Sequence, residues 1–181
     1  FICVDEAEQP FIQARINQLG LENQVQVNNY CSFVPGGEYF TIQGAITFDA
    51  DNNGCGIDDI AFPNLKFSIS DGTNTGTIIA NNTGNYSIPV QEGTHIITPV
   101  FENLNYFNVS PSSSTVTFPT TANPFTQDFC ITANGVHNDL EVTIVPISVA
   151  RPGFDSTYKI IYTNKGNQVA NGSLNLNYNI S

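Results

Sequence analysis

The chain has 181 residues and a formal net charge of −11; 40% of it is apolar and only 12% is charged. Such an acidic surface repels phosphate backbones, and the basic residues Arg15, Lys66, Arg151, Lys159 and Lys165 are scattered singly, which excludes a nucleic-acid footprint or a patch for anionic lipid. No apolar stretch is long enough to span a bilayer as a helix, so membrane insertion is not expected. Phe1-Ile-Cys-Val4 reads as a strand. Asp5 and Glu8 have capping-box spacing, and Pro10 suits only a first turn, so a helix is expected to start between Asp5 and Gln9. Ile12, Ile16 and Leu19 then share one face, Gly20 is a natural stop, and Val25–Val27 gives a second short strand. Residues 1–30 thus form a lone α/β unit, too small to bury its own face, which reads as the last unit of something upstream, with a linker completing the segment 1–38.

From Tyr39 the apolar period changes to two. Phe40, Ile42, Ala45, Ile46 and Phe48 predict a strand with one irregularity at Gly44. An Asp/Asn/Gly loop, 49–59, follows. Leu65, Phe67 and Ile69 alternate, Asp71-Gly72 turns the chain, and Thr77–Ala80 returns it. Tyr86, Ile88 and Val90, then His95–Thr98, Tyr106–Val109, Val116–Phe118 and Thr126–Ile131 complete the set. Closely spaced strands with Gly/Asn turns and no helical window predict an antiparallel β-sandwich over 39–133. In 134–181, Leu140–Pro146, then Tyr158, Ile160 and Tyr162, then Leu174, Leu176 and Tyr178 read as three strands of an incomplete immunoglobulin-like domain, since three strands without a partner sheet do not fold well alone. With no Met and no signal segment before Phe1, and a strand-like pattern at the other end, the sequence reads as an internal piece of a longer chain.

Cys3, Cys31, Cys55 and Cys130 contain no CxxC pair, so a zinc site is not expected, and two disulfides point to an extracellular protein. Three pairings are possible; the module boundaries favour Cys3–Cys31 and Cys55–Cys130. The motif richest in chemistry is Asp49-Ala-Asp51-Asn-Asn53-Gly54-Cys55-Gly-Ile-Asp58-Asp59. Oxygen side chains at alternate positions followed by glycine are how a chain wraps a hard cation, so Asp49, Asp51 and Asn53 are expected to offer side-chain oxygens to calcium, Cys55 its carbonyl, and Asp58 or Asp59 the closing carboxylate. Helices do not flank this loop and Ile60 stands where a helix-flanked calcium loop has its last acid, so the site would be structural. Catalysis finds no constellation. Neither His95 nor His137 has a nucleophile motif beside it, and no glycine-rich phosphate loop opens a helix. The aromatics, thirteen Phe and seven Tyr, fall mostly on alternating strand positions, although an exposed pair such as Tyr106-Phe107 could meet a glycan. Asn-x-Ser/Thr triplets at Asn81, Asn85, Asn108, Asn171 and Asn179 are expected by chance in so Asn-rich a chain.

The stretch from Tyr39 to Ile131 resembles the B-type, prealbumin-like repeats of bacterial surface adhesins. The residues that carry this are Ile46-Thr-Phe-Asp49 with Asp51-Asn-Asn53-Gly54, Leu65-Lys-Phe-Ser-Ile-Ser-Asp71-Gly72, and Gly84-Asn-Tyr86-Ser-Ile-Pro-Val90 with Gly93-Thr-His-Ile-Ile-Thr-Pro99. Phe125-Thr-Gln-Asp-Phe-Cys130, Asn134-Gly-Val-His137, Ala150-Arg-Pro-Gly-Phe154, Tyr158-Lys-Ile-Ile-Tyr162 and Asn164-Lys-Gly-Asn167 look like module junctions of large surface proteins of Bacteroidetes exported by the type IX system. The resemblance implies that residues 1–38 are the end of a leucine-rich-repeat region, Phe1–Tyr30, and a linker, and that 134–181 begin an immunoglobulin-like domain. It implies a non-catalytic, calcium-stiffened stalk on the cell surface or secreted, whose partners are a surface glycan or protein, the secretion machinery and neighbouring domains of the same chain. Asp155-Ser156-Thr157 looks like that phylum's O-glycosylation triplet, with Ser156 as acceptor. The competing expectation is an accessory carbohydrate-binding module of a secreted enzyme, which an exposed coplanar aromatic pair would favour.

Overall fold

Alternating apolar residues bury one face of a strand, and strands built that way must find a second sheet. The computed structural model, which describes residues 2–5, 7–31, 34, 36–151 and 153–177, is accordingly mainly β with one helix among the described residues. That helix is not long and apolar enough to cross a membrane.

The N-terminal unit is β1 (Ile2–Cys3), α1 (Gln9–Gln18) and β2 (Val27–Asn28), with β1 and β2 paired in parallel. Val4, Ile16 and Val27 form its small core, with Ile12, Leu21 and Val25 packed against it. Leu19, expected on the buried face, is exposed because the helix ends there, and Gly20 follows at φ +67°. The expected capping box does not form. Glu8 sits in the N-cap position without a side-chain cap, and the Asp5 carboxylate accepts instead from the Gly36 N–H at 3.1 Å. The second strand begins two residues later than expected because its pairing with β1 starts at Val27.

The sandwich follows as β3 (Phe40–Asp49), β4 (Ile60–Ala61), β5 (Lys66–Ser70), β6 (Thr75–Ile79), β7 (Asn85–Val90), β8 (Gly93–Val100), β9 (Phe107–Ser110), β10 (Ser114–Phe118), β11 (Phe125–Thr126) and β12 (Phe129–Ala133). One sheet runs β10-β8-β5-β6 and is antiparallel throughout. In the other, β3 is central. It pairs antiparallel with β7 and then β4 along one edge, and in parallel with β11 and then β12 along the other, while β12 continues to β9. Between the sheets lie Ile42, Ile46, Phe67, Ile69, Ile88, Ile97, Phe118, Phe129 and Ile131. Burying each of these side chains stabilises by about 1.5–3 kcal/mol.

Two features depart from the antiparallel reading. The first and last strands of the sandwich run parallel, a pairing between residues about eighty positions apart that no local turn signals. The last strand is also split. β11 and β12 keep one register against β3, but Gln127 and Asp128 between them leave the regular ladder opposite Gly44 and Ala45. There the Gln127 N–H donates to Gln43 O, the Ala45 N–H donates to the Asp128 carboxylate, and the Tyr86 hydroxyl donates to Gln127 O. The Gln127 carbonyl occupies the space a Cβ would need on Gly44, so the expected irregularity lies in the neighbouring strand while β3 itself is continuous.

The chain ends in an antiparallel hairpin, β13 (Leu140–Pro146) and β14 (Tyr158–Asn164), whose apolar residues Leu140, Val142, Ile144, Tyr158 and Tyr162 are exposed. The expected third strand is not formed over residues 171–177; Tyr178 and Asn179 lie outside the described residues, as do Phe1 of the first predicted strand and Pro152 of the hairpin turn. Among the described residues no sheet faces the hairpin, and Leu174 and Leu176 are exposed.

Candidate functional site

The loop after β3 is organised by Asp49, the last residue of that strand and only 3% exposed. Its Oδ1 accepts from the Asn53 N–H at 3.1 Å and its Oδ2 from the Gly54 N–H at 2.8 Å. Gly54 has φ +99°, a left-handed backbone that suits glycine and lets the chain fold back over the carboxylate. Burial pushes the Asp49 carboxyl up, but the hydrogen bonds from the backbone of Gly54, Asn52 and Asn53 outweigh it and hold it below its ordinary value. Asp51 accepts from the Asn53 N–H at 3.3 Å, and its other oxygen accepts from the Asn53 side-chain amide at 2.7 Å. Asp59 accepts from the Gly56 N–H at 2.7 Å.

Asp49, Asp51 and Asp59 each bring an oxygen to within 4.8 Å of the others. Of the two acids that could close the loop, Asp59 joins this group; Asp58 is exposed and outside it. Asn53 turns its amide nitrogen on Asp51. Cys55 enters through its side chain, bonded to Cys130 of β12, which pins the loop to the strand neighbouring β3. The other bridge joins Cys3 to Cys31, and no described cysteine is free.

The two histidines are engaged. His95, 2% exposed on β8, has Nδ1 at 2.9 Å from the Tyr30 hydroxyl and Nε2 at 2.9 Å from Gln91 O. His137 stacks on Tyr106 at 4.1 Å between centroids. These contacts mark two junctions, one between the N-terminal unit and the sandwich and one between the sandwich and the hairpin. At the first, Tyr30 enters the sandwich core from the N-terminal unit, while Gln9 donates to Asn74 and Asn28 donates to Thr75 O. At the second, buried Asn167 donates to Tyr106 O and Gly135 O and accepts from the His137 N–H, and Lys165 reaches Glu102 of the sandwich and Glu141 of the hairpin, both at 2.7 Å. The two carboxylates raise the Lys165 pKa. In sequence this joint shows as Asn134-Gly-Val-His137 and Asn164-Lys-Gly-Asn167, the stretches that resemble module junctions.

Asp71 shapes the turn beside the first junction, accepting from the Thr73 and Asn74 N–H groups at 2.8 and 2.6 Å. Burial pushes its carboxyl up, but hydrogen bonds from Asn74 and Thr73 and the nearby His95 hold it below the ordinary 3.8. A carboxylate with a depressed folded value contributes stability that is present above its unfolded value and lost as pH falls through the folded one. The melting temperature should therefore drop on acidification below about pH 4. Asp71→Asn should flatten part of that drop, as a series of melts against pH would show.

Tyr106 and Phe107 do not form an exposed coplanar pair. Tyr106 lies on His137, and Phe107 packs among Phe48, Phe62 and Phe101. A cleft of about 650 Å³ opens between the sandwich and the hairpin, with Phe62, Phe101 and Phe107 on its wall and Lys66, Glu102 and Lys165 among its polar residues. Ser156 is half-buried in the hairpin connection, and the following Thr157 N–H donates to Ser148 Oγ at 2.8 Å.

No protein-family model matches the chain, and no curated protein matches it in sequence. Among solved structures it is similar to the shaft pilin SpaA from Lactobacillus rhamnosus GG, at 9% identity and a TM-score of 0.45 over 57% of this chain and 53% of that one. It is also similar to a DUF3823 family protein from Bacteroides ovatus ATCC 8483, at 15% identity and a TM-score of 0.37 over 69% and 56%. A 9R-lipoxygenase from Cyanothece PCC8801 matches at 12% identity and a TM-score of 0.27 over 69% and 20%. The chain thus spans about half the length of the shaft pilin and DUF3823 chains, and all three TM-scores lie below the level at which a shared fold is argued.

Proposed function

We propose that this chain is a non-catalytic structural and adhesive module of an extracellular surface protein, a β-sandwich stalk stiffened by calcium at the loop 49–59. The observation that carries the reading is the pair of disulfides, one in the N-terminal unit and one closing the sandwich on itself, because such bridges persist outside the cytoplasm. The fixed polar joints on either side of the sandwich support a scaffold that holds its neighbours at set angles. In this reading the parallel strand–helix–strand unit ends a leucine-rich array and the hairpin opens an immunoglobulin-like domain whose further strands cover its apolar face. Export through the type IX system and glycosylation at Ser156 belong to the same proposal, as do a surface glycan or protein as ligand.

Calcium is argued from charge. Asp49, Asp51 and Asp59 crowd three carboxylates together on a chain that already carries −11, and like charges at that spacing repel unless a cation lies between them. Extracellular modules bind calcium at about 10⁻⁴–10⁻³ M. At calcium tenfold above the dissociation constant the linkage stabilises by about 1.4 kcal/mol, which for a chain of this size raises the melting temperature by roughly 3–6 °C. Scanning calorimetry in millimolar calcium and in EGTA tests this; equal melting temperatures would count against the metal.

The cleft beside Phe62, Phe101 and Phe107 favours a second reading, an accessory carbohydrate-binding module, because an aromatic wall with polar groups at its rim suits a sugar. Binding of oligosaccharides on a glycan array, lost in Phe101→Ala, would select it over the stalk.

A further inference from the structure

β3 and β12 are the first and last strands of the sandwich, and they pair in parallel from Phe129 opposite Ile46 to Thr132 opposite Asp49. The chain enters at the start of β3 and leaves at the end of β12, so entry and exit lie at opposite ends of one ladder. Tension along the polypeptide pulls β3 backwards and β12 forwards. The two strands must then slide past each other, and their hydrogen bonds, with those of β11 to β3, must fail together. Had the terminal strands been antiparallel neighbours joined by a hairpin, the same tension would peel them apart one bond at a time.

The covalent path reinforces this. Cys55 lies six residues beyond the end of β3, and Cys130 is the second residue of β12. Tension entering at Phe40 passes to Cys55, through the bridge to Cys130, and out at Ala133. The strands β4 to β11, which carry most of the core, lie off that path. Cys3–Cys31 does the same for α1 and β2. The remaining weak points, the joints between units, are those fastened by Tyr30 on His95, by Asn167, and by Lys165 between Glu102 and Glu141.

We propose that this chain is built to carry tension, with the parallel β3–β12 ladder as the element that resists shear and the two disulfides as shunts that keep the core from being drawn out. This rests on the surface-stalk reading for its biological setting, but not on calcium or on any ligand.

The test is single-molecule stretching of the full chain held at its two ends, in EGTA, without and with dithiothreitol. Without reductant, pulling should never release the chain between Cys55 and Cys130. With reductant a further step should appear, of about 250–270 Å from the 75-residue separation closed by that bridge. A smaller step of about 90–100 Å should come from the 28-residue separation between Cys3 and Cys31. Moving the second anchor to exposed Glu92, just past Val90, which pairs with Phe40, loads the antiparallel β3–β7 ladder from one end and peels it. Yielding there should need at most half the force. Full extension without reductant, or equal forces in the two geometries, would overturn the proposal. Because oxidised, folded protein is the starting point, the result does not depend on a cysteine variant folding. A stalk reading that fails, seen as a chain never exposed on intact cells, would leave these forces unchanged, so the two failures are separable.

Discussion

Replacing Cys55 and Cys130 together by serine should destabilise the sandwich by about 4 kcal/mol, the entropy that a closed loop of 75 residues removes from the unfolded chain. For a chain of this length that lowers the melting temperature by roughly 8–16 °C, measurable by thermal unfolding without reductant. The loss is large because the bridge spans nearly the whole sandwich, from the loop after its first strand to its last strand. It also has a local consequence. Cys55 is the covalent tie that holds the acidic loop beside β12, so the double variant should lose calcium stabilisation as well as chain-entropy stabilisation. Removing Cys3 and Cys31 should cost somewhat less, because the loop they close is 28 residues. A double variant at Cys55 and Cys130 that melts within a degree or two of the parent would mean that the bridge contributes nothing to the fold.

Gly44→Ala should cost about 3 kcal/mol although it adds a single methyl group. The added carbon would fall on the Gln127 carbonyl, which is backbone and cannot rotate away as a side chain would. That carbonyl is held from two sides, since the Gln127 N–H donates to Gln43 O and the Tyr86 hydroxyl donates to Gln127 O. Relief requires β11 and β12 to move off β3, breaking the Ala45 bond to Asp128 and disturbing Phe129, which is 1% exposed in the core. Chemical denaturation of the variant reads the loss directly. As a control, Gly172→Ala has open space around its Cβ and should be nearly neutral.

The parts of this fold that were legible in sequence are those fixed by local periodicity. Leu65, Phe67 and Ile69, or Tyr86, Ile88 and Val90, alternate because each strand has one face in the core, and the structure buries all six. The parallel closure of β3 with β12 was hidden because pairing partners about eighty residues apart leave no trace in a short window. The break at Gln127 and Asp128 was hidden because it depends on which strand lies alongside, and Gly44 pointed to an irregularity in its own strand instead. The helix starts at Gln9, inside the expected window, but the capping box that pointed to it does not form. Asp5 and Glu8 have the right spacing, but Gly36, distant in sequence, takes the Asp5 carboxylate. In the acidic loop, composition gave the cluster, while the choice between Asp58 and Asp59 rests on the chain path, where Gly56 N–H turns back onto Asp59. Tyr30 and Asn167 could not be found from sequence, because a single tyrosine or asparagine at a joint looks like any other.

The most direct measurement is titration of calcium into the metal-free chain, followed by calorimetry, in parent and Asp59→Asn. Asp59 is the better probe than Asp49, since its carboxylate accepts within the loop from Gly56 N–H alone, whereas the Asp49 carboxylate organises the loop even without a metal. The parent should take up one ion per chain with a dissociation constant of about 10⁻⁴–10⁻³ M, weakened at least tenfold in the variant. No uptake at several millimolar calcium, or the same uptake with Asp59 neutralised, would contradict it.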